Sequence, residues 1–178
     1  MRKLTFGGAN SLDNYFARPN DEIDWLMWTD EVGEIMAEYW KNIDTILMGR
    51  RTYEVALKHS KGKPKRNLYP GMHSYVFSRT ISKANSESVE IVSDDAAGFV
   101  RKLKGQEGKD ICLMGGGNFA KTLFEAKLID EIGLNVHPVL LGKGIPLFYE
   151  MEAQIDLDLI SCKPLKNGCV TLTYRVKN

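Results

Sequence analysis

A short apolar run that breaks into three consecutive glycines and restarts as a helix constrains this chain more than any other feature. Residues 111–119 read Ile-Cys-Leu-Met-Gly-Gly-Gly-Asn-Phe, and Phe119, Leu123 and Phe124 follow at helical spacing. Glycine loses more conformational freedom on folding than any other residue, so three in a row need a reason. The usual reason is close approach by another backbone or by a ligand. At a strand-to-helix junction the free N–H groups of the first helical turn also attract an anion.

The rest of the chain repeats this strand–helix unit. A strand over 2–10 carries Leu4 and Phe6 and contains Gly7-Gly8, where side chains vanish. Residues 11–20 hold turn chemistry, Asp13-Asn14 and Pro19-Asn20. A helix is predicted from Thr29 or Asp30, with Val32, Ile35, Met36, Tyr39 and Trp40 on one apolar face. A buried strand at 45–48 and a helix at 50–57 come next, then a long polar stretch at 58–71. Strands at 75–77 and 89–92 precede a helix over 94–104, with Ser93 as its cap and Gly105 as its stop. After the triglycine unit, strands are predicted at 131–139, near 155–163 and at 170–176. Lys166-Asn167-Gly168 makes a hairpin turn between the last two.

Helices between strands require parallel pairing through right-handed crossovers, whereas the terminal hairpin is antiparallel. The expected architecture is α/β: one three-layer domain spanning 1–178, with a mixed, mostly parallel sheet. Its 178 residues with 43% hydrophobic content suffice for one well-buried core.

Charge narrows the function. With 24 basic and 23 acidic residues there is no basic field for nucleic acid, and Lys61 to Arg66 reads as a solvated turn. No apolar run reaches the roughly 18 residues of a membrane span. Cys112, Cys162 and Cys169 lack metal-site spacing and suit a reducing compartment, and His59 and His73 show no metal spacing either. A cytoplasmic protein with a small-molecule substrate, no metal, no nucleic-acid partner and no membrane partner is expected. The apolar run 136–148 is long for one strand and is expected to join a homodimer interface.

Two further strand ends match the triglycine unit in style. Ile-Leu-Met-Gly-Arg-Arg-Thr-Tyr at 46–53 turns on Gly49 and sets Arg50, Arg51 and Thr52 at a helix start. Guanidinium groups there are unfavourable unless an anion joins them. Tyr-Val-Phe-Ser-Arg-Thr at 75–80 ends in Ser78, Arg79 and Thr80, a cluster suited to a monophosphate. In open α/β sheets, ligands bind at such carboxyl ends.

These three segments, in this order, resemble the cofactor segments of the dihydrofolate reductase-like family. Ala-Asn-Ser-Leu-Asp-Asn-Tyr at 9–15, Leu-Ile-Asp-Glu at 128–131 and Val-His-Pro-Val-Leu-Leu-Gly-Lys-Gly-Ile-Pro-Leu-Phe at 136–148 bring the resemblance closer to one branch. That branch is the reductase domain of the bifunctional riboflavin-biosynthesis deaminase–reductase, with its stand-alone bacterial relatives. The resemblance implies a dihydrofolate reductase-like fold, NADPH as cofactor and hydride transfer to a small heterocycle. It implies that Gly49, Arg50, Arg51 and Thr52 hold the pyrophosphate and adenosine side, and that Ser78, Arg79 and Thr80 meet the 2′-phosphate. Met114, Gly115, Gly116, Gly117, Asn118 and Phe119 would line the nicotinamide and pyrophosphate, and Ala9 would meet the nicotinamide amide.

On the substrate side the resemblance implies Asn10, Asp13 and Trp25, with Asp30 as proton source five positions after Trp25; Asp24 competes with it. Met72 stands where dihydrofolate reductases place the arginine that grips the folate tail. The expected substrate is therefore pterin-like or a ribosylamino-pyrimidine. The alternative is an NADP(H)-binding regulatory module that has lost the reaction.

Overall fold

The computed structural model describes residues 1–59, 69–81, 83–84 and 86–177. Elements run β1 (Leu4–Ser11), β2 (Tyr15–Ala17), α1 (Asp30–Lys41), β3 (Ile43–Gly49), α2 (Arg50–His59), β4 (His73–Phe77) and β5 (Val89–Val92). Then follow α3 (Ala96–Lys104), β6 (Asp110–Leu113), α4 (Gly117–Glu125), β7 (Glu131–His137), β8 (Ile145–Pro146), β9 (Leu157–Pro164) and β10 (Val170–Val176). The main sheet has eight strands in the order β5-β4-β3-β6-β1-β7-β10-β9. From β5 to β7 every neighbour is parallel, and β10 and β9 add antiparallel. Strands β2 and β8 form a separate small antiparallel sheet.

Side-chain alternation along the central strands feeds a core on each face. Leu4, Phe6, Leu47, Ile111 and Leu113 meet Val100 and Leu103 of α3 and Ala120, Leu123 and Phe124 of α4. On the other face Ile46, Met48 and Val76 meet Tyr53 of α2, with Trp40 of α1 packed against them. The result is a three-layer α/β fold with a mostly parallel sheet, as the alternation of elements implies.

Several boundaries differ from the sequence reading. Helix α3 is capped by Asp95, whose carboxylate accepts the Gly98 N–H at 2.9 Å, not by Ser93. An anionic acceptor outcompetes a hydroxyl, and it delays the helix start by two residues. Strand β7 stops at His137, and the 136–148 run is no single strand. Leu147 is fully buried in this chain's own core, and the partly exposed Phe148 ring lies 5.7 Å from Phe6, whereas Leu140 is exposed. Turn-rich 11–20 contains β2, and the basic stretch at 61–66 falls outside the described residues.

Candidate functional site

The strand order puts the three glycine- and arginine-bearing bends side by side. β4, β3 and β6 are consecutive and parallel, with Gly49 beside Phe77 and Leu47 beside Leu113. The bends at Gly49, Ser78 and Met114 therefore share one edge of the sheet, and the first and third touch through their backbones. The Gly49 N–H donates to the Gly115 carbonyl at 3.4 Å, and the Met114 N–H donates to the Leu47 carbonyl at 2.9 Å. A Cβ on Gly116 would sit 3.1 Å from the Gly49 nitrogen, and one on Gly115 would sit 3.3 Å from Thr52 Oγ1. Gly115 and Gly116 have φ of 115° and 93°, which glycine adopts without strain. Phe77 and Phe119 stack at 4.1 Å, joining the end of β4 to the start of α4.

Helix ends divide into two kinds. Thr29 caps α1 and Asp95 caps α3, each with a side chain on a backbone N–H, and α1 adds Asp30 and Glu31 in its first turn. Helix α4 starts from Gly116 with no side-chain cap, and neither α2 nor α4 has an acidic residue in its first turn. Helices α2 and α4 are the two with neither an acidic cap nor an acid in the first turn, and their positive ends meet at the Gly49–Gly116 contact.

Cationic side chains surround that contact unequally. Arg50 donates from Nε to Glu54 at 2.7 Å and from Nη1 to Thr80 Oγ1 at 2.8 Å, linking two of the bends. Ser78 Oγ accepts the N–H groups of Thr80 and Ile81 and shapes that turn. Arg79 is exposed and has no hydrogen bond or ion pair among the described residues. Arg51 turns away from the bends. It donates to Asp21 at 2.8 Å and to the Pro19 carbonyl at 3.5 Å, tethering the loop before α1. That link joins residues thirty positions apart, and no local signal announces it.

Beside these bends the sheet opens. The last β1–β6 pair is Phe6 with Leu113, while β1 continues to Ser11 against β7 alone. Past Phe6 one side of the β1 backbone has no strand partner, and Ala9 lies midway along it. Gly117 closes the far wall, where the Tyr149 ring occupies the space of any side chain. The sequence carries no cue to that contact.

The substrate-side residues are scattered in role. Asn10 is 1% exposed and its Oδ1 has no partner among the described residues. Asp13 accepts Ser11 Oγ at 2.6 Å and the Leu141 and Gly142 N–H groups at 3.1 and 2.8 Å; the Ser11 bond above all holds its carboxyl below the usual range. It fastens the loop after β1 to the loop after β7, so its oxygens are already engaged by the protein. Trp25 is buried edge-on against His137, centroids 5.2 Å apart, and its indole N–H has no partner among the described residues. His137 is buried, which pushes its imidazole below the ordinary value, and its Nδ1 accepts the Met27 N–H at 3.3 Å. Nδ1 therefore carries no proton. Asp24 pairs with Arg18 at 2.6 Å, which lowers its carboxyl. Asp30 is exposed at the start of α1, with no side-chain hydrogen bond to a described residue, and lacks the burial expected of a general acid.

A cavity of about 490 Å³ lies at the opposite edge, where β1, β3, β6 and β7 begin, lined by Lys3, Thr5, Tyr39, Asp110 and Glu131 among others. Lys3 is already paired with Glu131 at 3.1 Å. The cavity touches none of the three bends. Among the described residues no His/Cys/Asp/Glu group could hold a metal ion, and no helix is long and apolar enough to cross a membrane.

Known proteins share this architecture. A protein of Shewanella sp. PV-4, provisionally named a riboflavin biosynthesis protein, superposes with a TM-score of 0.84 at 24% identity over 100% of both chains. Dihydrofolate reductase from Enterococcus faecalis, solved with NADP(H), superposes at 0.71 with 16% identity over 99% of this chain and 97% of its own. Both likenesses establish the dihydrofolate reductase-like fold. In sequence, the uncharacterized protein YyaP of Bacillus subtilis (strain 168) is 32% identical over 181 residues, covering 98% of this chain and 95% of that protein. Residues 2–171 match the RibD C-terminal domain, and the chain belongs to that family.

Proposed function

We propose that this chain is an NADPH-dependent oxidoreductase that reduces a small heterocycle, pterin-like or a ribosylamino-pyrimidine, working as a cytoplasmic homodimer of single domains spanning 1–178. One observation carries the reading: the two helix starts with neither an acidic cap nor an acid in the first turn meet backbone to backbone, and Arg50 and Arg79 flank them. A dinucleotide supplies the missing anion. Dihydrofolate reductase from Enterococcus faecalis, which shares the fold, was solved with NADP(H).

In this reading Gly49, Thr52 and residues 115–119 present amide hydrogens to the pyrophosphate, with Met114 at the bend. Arg79, with Ser78, Thr80 and Arg50, holds the 2′-phosphate. The unpaired edge of β1 at Ala9 orients the carboxamide ring. The bound nicotinamide supplies the hydride, and the protein supplies position and charge. Trp25 offers its free indole N–H and Asn10 its free carbonyl oxygen to the substrate side. Asp30, exposed as it is, acts through a water that it orders. Asp13 holds the loop shape, and Arg51 holds the loop over α2.

Exposure of Asp30 and neutralisation of Asp24 favour a second reading, an NADP(H)-binding module without turnover. Two measurements decide. Fluorescence titration should show NADPH binding at least tenfold tighter than NADH; equal affinities would end the assignment of Arg79. Absorbance decay of NADPH against pterins and ribosylated pyrimidines then separates reductase from module.

A further inference from the structure

Among the described residues, buried side-chain oxygens or nitrogens without a hydrogen-bond partner occur on Asn10, Trp25, Ser74 and Asn135. Two of these side chains, Trp25 and Asn135, flank one imidazole. Asn135 and His137 are two apart on β7 and share a face. It is the face toward α1, because Thr5 and Glu131 on that side line a cavity with Tyr39 of α1. The Asn135 amide nitrogen lies 3.4 Å from His137 Nε2, and the Trp25 ring meets the same imidazole edge-on, centroids 5.2 Å apart. In register, Asn135 stands beside Ala9, one strand away from the β1 edge assigned above to the carboxamide ring. A buried polar group left unpaired is costly, so Trp25 and Asn135 call for a partner from outside the chain.

Proton placement decides what that partner is. His137 Nδ1 accepts the Met27 N–H at 3.3 Å, so the neutral ring carries its proton on Nε2. Burial lowers the imidazole and so favours this neutral form. An Nε2 proton facing the Asn135 NH2 sets donor against donor and leaves Oδ1 unused. The opposite amide rotamer resolves both: Oδ1 accepts from Nε2, and the NH2 becomes a free donor. Trp25 adds its indole N–H, which can only donate. We infer that Trp25 and Asn135, both held by His137, form a neutral two-donor subsite that takes a carbonyl oxygen of the substrate ring. This rests on the reductase reading and narrows its substrate to a heterocycle with a lactam edge. One carbonyl oxygen has two lone pairs for two donors. Among the described residues no ionised side chain hydrogen-bonds to Trp25, Asn135 or His137. A carboxylate would therefore enter without a counter-charge, and an amino group would leave both donors unmet. His137 is a positioning residue: it touches both donors rather than the ligand.

The probes are pterin and its diamino analogue, in which an amino group replaces the ring carbonyl oxygen. Calorimetric titration of the full chain with NADP⁺ present should show pterin binding about tenfold tighter or better, the worth of exchanging one good hydrogen bond for an unmet donor. Trp25→Phe keeps an aromatic ring without the N–H, and it should cut pterin affinity about fivefold while leaving the diamino compound unchanged. Asn135→Asp offers an oxygen where the NH2 stood and should abolish or reverse the preference. His137→Phe keeps a buried ring without either nitrogen; it should erase the preference and spare NADPH affinity, whereas a merely structural role would weaken both pteridines and NADPH together. Equal or tighter binding of the diamino compound to the parent chain would overturn the subsite. So would variants that weaken both pteridines alike, or no binding of either at millimolar concentration. NADPH titration of the same samples reports separately: NADPH binding without pterin preference removes the subsite and keeps the cofactor reading, and pterin preference without NADPH binding does the reverse.

Discussion

Gly116→Ala is the most direct probe of the contact between the two helix starts. The added Cβ would stand 3.1 Å from the Gly49 nitrogen and 3.2 Å from its Cα, both backbone atoms of a buried strand end. It would also hold an L-residue at φ 93°, ψ 76°. That conformation costs about 1–3 kcal/mol for a non-glycine residue, and a methyl pressed against an unyielding backbone costs about another 1–3 kcal/mol. The sum, about 2–6 kcal/mol, corresponds to roughly 5–20 °C in melting temperature for a domain of this size. Gly142→Ala is the control, because φ is 73° there but no atom lies within 4 Å; it should show the conformational cost alone. Thermal unfolding by circular dichroism measures both. NADPH titration of Gly116→Ala below its melting point should show at least tenfold weaker binding, since the two N-terminal amide clusters are pushed apart. If Gly116→Ala melts within about 1 °C of the parent, the close approach of Gly116 to Gly49 does not constrain the fold.

Other consequences are simpler to read. Gly33→Ala, in the exposed part of α1 with open space at its Cβ, should stabilise by about 0.5–1 kcal/mol, seen as a small rise in melting temperature. Arg79→Gln should weaken NADPH at least tenfold and leave NADH unchanged, because only the 2′-phosphate distinguishes them; isothermal titration with both cofactors checks it. His137 has a folded value below the unfolded 6.5, so the unfolded chain takes up its proton first. Its contribution is therefore complete above 6.5 and fades as pH falls below it. A His137→Gln variant should show a flatter stability profile across that acidic range in urea melts. Asp30→Asn should slow turnover without changing NADPH affinity, and a rate equal to the parent would remove Asp30 from the reaction.

Much of this arrangement was legible because it is written locally. Strand-to-helix units announce themselves through Gly49 and the 115–117 triplet, and Lys166-Asn167-Gly168 marks the hairpin between β9 and β10. Cys112 read as a buried, inert thiol, and burial does push it up to about 11. What stayed hidden is contact between distant segments. Strands β2 and β8 are three and two residues long and pair across most of the chain, so neither has a periodicity to detect. Asp13 reads from the sequence as a substrate-side residue, and the structure adds that its oxygens accept the N–H groups of 141 and 142, which no local pattern announces. Arg51 resembled its neighbour Arg50 in sequence, yet successive helical residues point about 100° apart. One guanidinium reaches Thr80 across the bends and the other reaches Asp21 in the loop.

That divergence would give an ordinary sheet edge the anion preference that the proposed cofactor site requires. Arg50 is held on one side by Glu54, an exposed i,i+4 pair of the kind worth little by itself. A phosphate between the bends would compete for the same guanidinium at a helix end that already favours negative charge, so Glu54 would be exchanged rather than lost. Replacing Glu54 by Gln frees Arg50 in the apo protein and should tighten NADPH about two- to fivefold, with a steeper loss of affinity as salt is raised. Weaker binding would mean that Glu54 orients Arg50 instead of competing for it, and the positive charge at this edge would then depend on Arg79 and the helix ends alone.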